Sequence, residues 1–184
     1  MYRNFIKPIL DFVISLVLLL VLWPIILIVM LITYINLGSP IYNKYRQREG
    51  KNKKPFIMYK IRTKIYLNDE NGYMEKYTKT SRFIDKLRLN ELPQLINVLK
   101  GDMSLVGPRP FIPGEELPDG DIDPKRYMVR PGLTGLAQVS GGRNITHKQK
   151  LRYDIMYYDN MSLWLDIKII IKTIYLLIKN GVDE

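Results

Sequence analysis

The chain has 184 residues and no cysteine, which excludes a disulfide framework and any thiolate metal site. Its 28 Lys and Arg outnumber 18 Asp and Glu, a formal net charge of +10, and that balance suits nucleic acid, an anionic membrane surface or phosphorylated substrates alike. Neither a helix-turn-helix nor a run of stacking aromatics is visible, so nucleic acid is set aside as a partner, and the length allows one domain with an appendage.

Residues 9–35 are almost wholly apolar, interrupted by Asp11, Ser15, Pro24, Thr33 and Tyr34. No small-residue cleavage site follows, so they read as a retained membrane segment. As one straight helix they would reach about 40 Å, enough to cross a hydrocarbon core of about 30 Å. Pro24 lies near the middle, removes the hydrogen bond to the Leu20 carbonyl and predicts a kink. Arg3 and Lys7 precede the segment, and nine basic residues lie between Lys44 and Lys64 with Glu49 the sole acid. Lys and Arg mark the cytoplasmic side, and here both flanks carry them. A helix that enters, bends at Trp23-Pro24 and leaves on the same face satisfies both flanks; a single kinked spanning helix is the other reading of the same residues. Lys7 and Asp11, at i and i+4, are expected to pair at the interface.

Gly50 to Pro55 is a polar turn and Phe56 to Lys64 roughly alternates, which predicts a short β-hairpin. Alternation puts Lys60 and Arg62 on one side, toward a diphosphate, a lipid phosphate or simply anionic headgroups. Residues 67–80 are polar and read as a loop, and Thr80 to Leu87 as a short helix or turn. In the run from Lys86 to Pro110, Leu92, Leu95, Ile96 and Leu99 recur at helical spacing, with Asn90 where an N-cap belongs and Gly101 as the stop. The free N–H groups at such a helix start suit an anion. Gly107-Pro108-Arg109-Pro110 follows, a stiffened turn presenting one guanidinium for bidentate phosphate contact.

The acidic, breaker-rich run at 113–121 reads as a solvated loop. Arg130-Pro131-Gly132-Leu133-Thr134-Gly135-Leu136-Ala137-Gln138-Val139 reads as a glycine-bearing turn whose backbone can approach a nucleotide, and Arg143 adds a further cation. His147 reads as a surface residue. At the end of the chain, residues 162–179 place Lys168, Lys172, Tyr175 and Lys179 on one stripe and aliphatic residues on most of the rest, so they read as an interfacial amphipathic helix, with a core helix as the alternative.

Two blocks, Glu91 to Pro110 and Arg130 to Val139, closely resemble the signature of the small monotopic bacterial phosphoglycosyl transferases, the polyprenyl-phosphate sugar-1-phosphate transferases. That family reads Asp-Glu-Leu-Pro-Gln-Leu, then Asn-Val-Leu-Lys-Gly-Asp-Met-Ser, then Val-Gly-Pro-Arg-Pro. The resemblance implies a mostly helical α+β monotopic membrane protein. It would have a re-entrant helix broken at Pro24 (residues 1–36), a short hairpin, and a catalytic domain (37–184) on the cytoplasmic face of the bacterial inner membrane. It implies transfer of sugar-1-phosphate from a UDP-sugar to undecaprenyl phosphate with release of UMP, through a covalent phosphosugar intermediate at position 90 and with Mg²⁺ neutralising the diphosphate. Asn90 and Glu91 would then be the catalytic and metal-holding positions. Lys60, Arg62, Arg88, Pro108, Arg109, Arg130, Gly132, Thr134, Gln138 and Arg143 would bind substrate. A homodimer is left open.

This chain departs from the family at the residue that matters. Asn90 stands where the family has its nucleophilic Asp, and a carboxamide has no anionic oxygen with which to attack phosphorus. Asp85 stands where the family commonly carries a basic residue, five positions earlier, and Arg88 is a candidate to supply that charge. A member that binds nucleotide-sugar or a membrane partner without turnover is therefore the alternative.

Overall fold

The structure is a computed structural model that describes residues 1–43, 47–69, 72–114 and 122–182. A π-helical turn at Tyr2–Ile6 leads into α1, Lys7–Leu37, whose helical hydrogen bonding resumes on both sides of Pro24, the position of the expected kink. Proline removes a single hydrogen bond, and in a segment whose apolar side chains give the backbone no other partner the remaining helical bonds carry the turn through. One stripe of α1 is buried: Lys7, Asp11 and Ser15 before the proline, then Ile26, Val29 and Thr33 after it. The other faces, from Ile9 and Phe12 to Leu31 and Ile35, are open and apolar. Among the described residues this is the one helix long and apolar enough to cross a membrane.

Both ends of α1 are fastened to the same body. Lys7 Nζ lies 3.6 Å from Asp11 and 2.7 Å from Asp166, so the expected pair forms but is buried rather than interfacial. Asp11 accepts hydrogen bonds from Ser104 Oγ at 2.7 Å and the Leu105 N–H at 3.2 Å. Beyond Pro24, Ile26 and Val29 join Ile61 and Ile84 in one apolar cluster, flanked by Leu89 and Leu92.

The body is assembled from short pieces. β1 (Gln47–Glu49) pairs antiparallel with β2 (Pro55–Ile57) around the Gly50–Lys54 turn, so the expected hairpin forms, but its second strand stops at Ile57 instead of running to Lys64. The expected loop at 67–80 is instead a second hairpin, β3 (Ile65–Asp69) on β4 (Gly72–Lys76). Ile65, Tyr66 and Tyr73 carry strand propensity, and a two-stranded ribbon accepts the polar residues between them because only one face needs cover. α2, Lys79–Lys86, opens on a capping box between Thr78 and Ser81. Arg88, in the left-handed region at φ 58°, turns the chain back into a 3₁₀ turn, Leu89–Glu91. α3 follows at Gln94–Leu99, with Pro93 at its N-cap. The sequence reading starts this helix at Asn90; instead Asn90 lies within the 3₁₀ turn, where its Nδ2 donates to the Asp85 carboxylate at 2.9 Å and its Oδ1, the atom that would cap, accepts from no N–H.

β5 (Ser104–Val106) and β6 (Gly132–Thr134) pair in parallel and bring the two motif blocks side by side. A Cβ on Gly132 would lie 2.1 Å from the Gly107 nitrogen, so only glycine lets the two backbones approach this closely. α4 (Leu136–Val139), α5 (His147–Asp159) and α6 (Leu163–Val182) complete the chain. α5 is not anticipated by the sequence reading, although Thr146 and Gln149 form its capping box. α6 packs one side into the core, as the second of its two readings expects, and leaves another side open. Ile169 packs with Val106, Val139 and Tyr157, while Trp164, Ile167, Ile171, Ile174 and Ile178 form an exposed apolar face. Residues 115–121 of the expected acidic loop lie outside the described residues.

Candidate active site

The αL turn at Arg88 places the end of α2, the 3₁₀ turn and the segment at 59–63 against one another. Asn97 pins that segment along α3: its Oδ1 accepts from the Tyr59 N–H at 2.9 Å and its Nδ2 donates to the Ile57 carbonyl at 2.7 Å. The Ile61 N–H then donates to the Asn90 carbonyl at 2.9 Å. Lys60 is thereby brought 2.7 Å from Glu91 Oε1, which also accepts from Arg88 at 3.1 Å. Burial pushes the Glu91 pKa up, but Lys60, Arg88 and Arg109 outweigh it and hold the carboxyl below the ordinary glutamate range.

That direction fixes a pH signature. Glu91 is more acidic folded than unfolded, so its contribution to stability is complete above its ordinary value of 4.5 and is lost as pH falls through the folded value. Denaturant unfolding of detergent-solubilised wild type and Glu91→Gln is expected to show a constant gap from about pH 5.5 to about pH 8, narrowing in acid below that. A gap indifferent to acid would mean that the cations are not held by the charge.

A cleft opens here, lined by Arg48, Met58, Glu91, Gln94, Arg109 and Gly132. Arg109 is exposed, and its backbone carbonyl accepts a hydrogen bond from Arg126. Arg126 is itself buried, paired with Asp154 at 2.9 Å and stacked 3.5 Å from the centre of the Phe111 ring. Arg126, Asp154, Arg48 and Gln94 were not found in the sequence. Gln94 lies inside the Glu91 to Pro110 block without standing out there, and nothing local marks Arg126 and Asp154, which are paired across 28 residues.

Asn90 is fully buried. Its Nδ2 donates to Asp85 Oδ1 at 2.9 Å, and Thr63 Oγ1 reaches that same carboxylate oxygen at 3.3 Å. Asn90 Oδ1 is buried without a hydrogen-bond partner. Among the described residues no three His, Asp or Glu side chains cluster as a metal cage. Magnesium held largely by substrate phosphates needs only one or two protein oxygens. Asn90 Oδ1 and Glu91 Oε2, which makes no hydrogen bond among the described residues, fit that need.

The other residues singled out in the sequence are dispersed. Arg62 donates to the Leu37 and Gly38 carbonyls and caps the end of α1. The Pro108 carbonyl accepts from the Gly132 N–H at 2.9 Å, and Thr134 Oγ1 bonds Thr173 of α6 at 2.7 Å. Gln138 has both amide atoms buried without partners. Arg130 opens on a different cavity, with Arg3, Lys7, Lys51 and Ser104 around the start of α1. The side chain of Arg143 lies outside the described residues. The structure thus brings together Lys60, Arg88, Asn90, Glu91, Arg109 and Gly132, and parts them from Arg62 and Arg130.

Residues 2–180 match the family described as bacterial sugar transferase. An uncharacterized sugar transferase of Bacillus subtilis, EpsL, is 40% identical over 87% of this chain and 81% of its own. The UDP-glucose:undecaprenyl-phosphate glucose-1-phosphate transferase of Caulobacter vibrioides is 38% identical over 91% of this chain and 68% of its own. The undecaprenyl-phosphate galactose phosphotransferase of Salmonella typhimurium is 36% identical over 92% of this chain, which spans only 40% of that longer enzyme.

Proposed function

The chain belongs to the bacterial sugar transferase family, an enzyme family, and on that premise we propose that it moves sugar-1-phosphate from a UDP-sugar to undecaprenyl phosphate and releases UMP. One observation carries the reading: a cleft lined by Glu91, Gln94 and Arg109 adjoins the core into which the membrane-type helix packs, through Ile61 and Leu92. A water-soluble anionic donor and a lipid-borne acceptor phosphate can meet there.

The chain's own residues divide the work. Arg109 grips diphosphate oxygens from the stiff turn that Arg126 holds. Lys60 and Arg88 keep Glu91 ionised and fixed in direction. Gly132 lets β6 close against Gly107 and so sets the wall of the cleft on that side. Magnesium, held by Glu91 and Asn90, would supply neutralisation of the diphosphate charge. The reaction is proposed to pass through a covalent phosphosugar intermediate, whose carboxylate cannot be the amide of Asn90 itself.

Residues 1–36 are proposed as a re-entrant anchor and 37–184 as a body on the cytoplasmic face of the inner membrane. The attachment of both halves of α1 to the same body supports this, since a spanning helix would carry one end away. Because the chain has no cysteine, Asn4→Cys and Asn52→Cys can each be labelled alone in sealed inverted vesicles. Both are expected to react with a membrane-impermeant maleimide from the outside; reaction at 52 only would restore the spanning helix.

The function is tested by UMP release from UDP-glucose, UDP-galactose and UDP-N-acetylgalactosamine with undecaprenyl phosphate in detergent. Release that depends on both substrates supports the transferase. Binding of a UDP-sugar with no release supports the alternative, a family member that Asn90 has silenced.

A further inference from the structure

We propose that Asp85 is the nucleophilic carboxylate of this transferase, displaced by one helix end from position 90 and aimed by the Asn90 amide. The inference rests on the transferase reading above and names the group that reading leaves open.

Two carboxylates stand beside Asn90, and their surroundings differ. Glu91 has one oxygen taken by both Lys60 and Arg88, at 2.7 and 3.1 Å, and electron density drawn toward two cations is poorly placed to attack a phosphorus. No ion pair among the described residues falls on Asp85. Asp85 is half-buried, and its Oδ1 accepts from Asn90 Nδ2 at 2.9 Å and from Thr63 Oγ1 at 3.3 Å. Neutral donors hold an anionic oxygen in place without neutralising it, which is what an attacking group needs. Asp85 Oδ1 also lies one hydrogen-bond length, 2.9 Å, from the Nδ2 of residue 90.

The pairing explains both departures from the family together. An Asp at 90 and a cation at 85 form one arrangement; an Asp at 85 and an amide donor at 90 form its mirror, with the carboxylate moved and its partner moved with it. It also accounts for the Asn90 orientation. Asp85 claims the Nδ2, which leaves Oδ1 buried without a partner. An orphaned buried acceptor beside a carboxylate is costly on its own, by about 1–3 kcal/mol, and is found where a ligand completes the set.

The step balances without a co-reactant. An Asp85 oxygen bonds to the β-phosphorus of the UDP-sugar, and the bond from that phosphorus to the bridging oxygen breaks. UMP leaves with that oxygen and its electron pair, and Asp85 holds the phosphosugar as an acyl phosphate. An oxygen of undecaprenyl phosphate then attacks the same phosphorus, the aspartyl oxygen leaves, and the Asp85 carboxylate is restored.

Mapping the adduct on the wild-type chain decides the matter. Tryptic cleavage after Arg82, Lys86, Arg88 and Lys100 puts Asp85 in the peptide 83–86 and Asn90 with Glu91 in the peptide 89–100. The full chain in detergent is incubated with the UDP-sugar it turns over, without lipid acceptor, then treated with hydroxylamine and digested. A hydroxamate on 83–86 supports Asp85. A hydroxamate on 89–100, or acceptor-dependent UMP release with no adduct on either peptide, overturns Asp85 and leaves the transferase standing. No UMP release from any UDP-sugar overturns the transferase reading itself, and Asp85 with it. Asp85→Asn, which keeps the shape of the side chain, is expected to lose UMP release on the order of 10³-fold or more while binding the UDP-sugar within about threefold. Retention of about a tenth of the activity, or more, refutes the assignment.

Discussion

Asp166→Ala is expected to cost about 3 kcal/mol of stability, the low end of the range for removing one partner of a buried ion pair, read as a lowered unfolding midpoint in detergent. Asp166 is almost fully buried and accepts from three donors: Lys7 Nζ at 2.7 Å, Tyr2 at 2.5 Å and Tyr157 at 2.8 Å. Burial, reinforced by Asp166, pushes both tyrosine hydroxyls far above their usual range, so they remain donors at any working pH. Without Asp166, Lys7 keeps only Asp11, 3.6 Å away, and a lysine 6% exposed is left short of a counter-charge. Asp11 and the Tyr157 bond to the Val106 carbonyl limit the damage, which is why the low end applies. The loss should be local in its first effects: trypsin should cleave after Arg3 in the variant before it reaches the body. A change below about 1 kcal/mol would mean that the lysine finds water, and that the start of α1 is held by its apolar stripe instead.

That network shows where sequence reading runs out. Lys7 and Asp11 are legible as an i, i+4 pair, but Asp166, 159 residues from Lys7, is legible to nothing short of the fold. The apolar run of α1, the hairpin at Gly50–Lys54 and the last helix were readable because periodicity and turn chemistry are local. Within the site, Glu91 and Arg109 stood out through their motifs, and Lys60 through alternation. Arg62, two residues on from Lys60, was placed beside it on the same ground. It turns away because the carbonyls ending α1 offer it acceptors, and no strand holds it on the Lys60 side. Arg130 belongs to the second motif, yet the parallel pairing of β5 and β6 gives Gly132 to the cleft and Arg130 to the cavity at the start of α1. Motif order carries no information about which side of a strand meets which cavity. α5 was missed because its sequence, from His147 to Asp159, shows little apolar periodicity; the capping box at its start was the usable signal.

Loss of the carboxylate at position 85 should be fatal alone and rescued by a carboxylate at position 90. Asp85→Lys is expected to cut UMP release on the order of 10³-fold or more, since it removes the proposed attacking group. Asn90→Asp alone sets a second carboxylate within about 3 Å of the first, and two such groups cannot both ionise cheaply: one is pushed up and holds a proton. Turnover near neutral pH should therefore stay within about tenfold of the parent, and the pH–rate profile should gain an ionisation the parent lacks, with activity rising toward higher pH as that proton leaves. The double variant, Asp85→Lys with Asn90→Asp, puts an anion at 90 and a cation at 85, the polarity the family uses. It should regain activity to within about tenfold of the parent and carry its hydroxylamine-trapped adduct on the peptide 89–100. Recovery in the double variant, against the loss at Asp85→Lys, is a non-additivity of about two orders of magnitude or more, far outside what independent sites produce. If Asn90→Asp alone raises turnover a hundredfold and Asp85→Lys leaves it unchanged, the carboxylate at 85 is a bystander. The parent would then be a transferase that lost its nucleophile when position 90 became an amide.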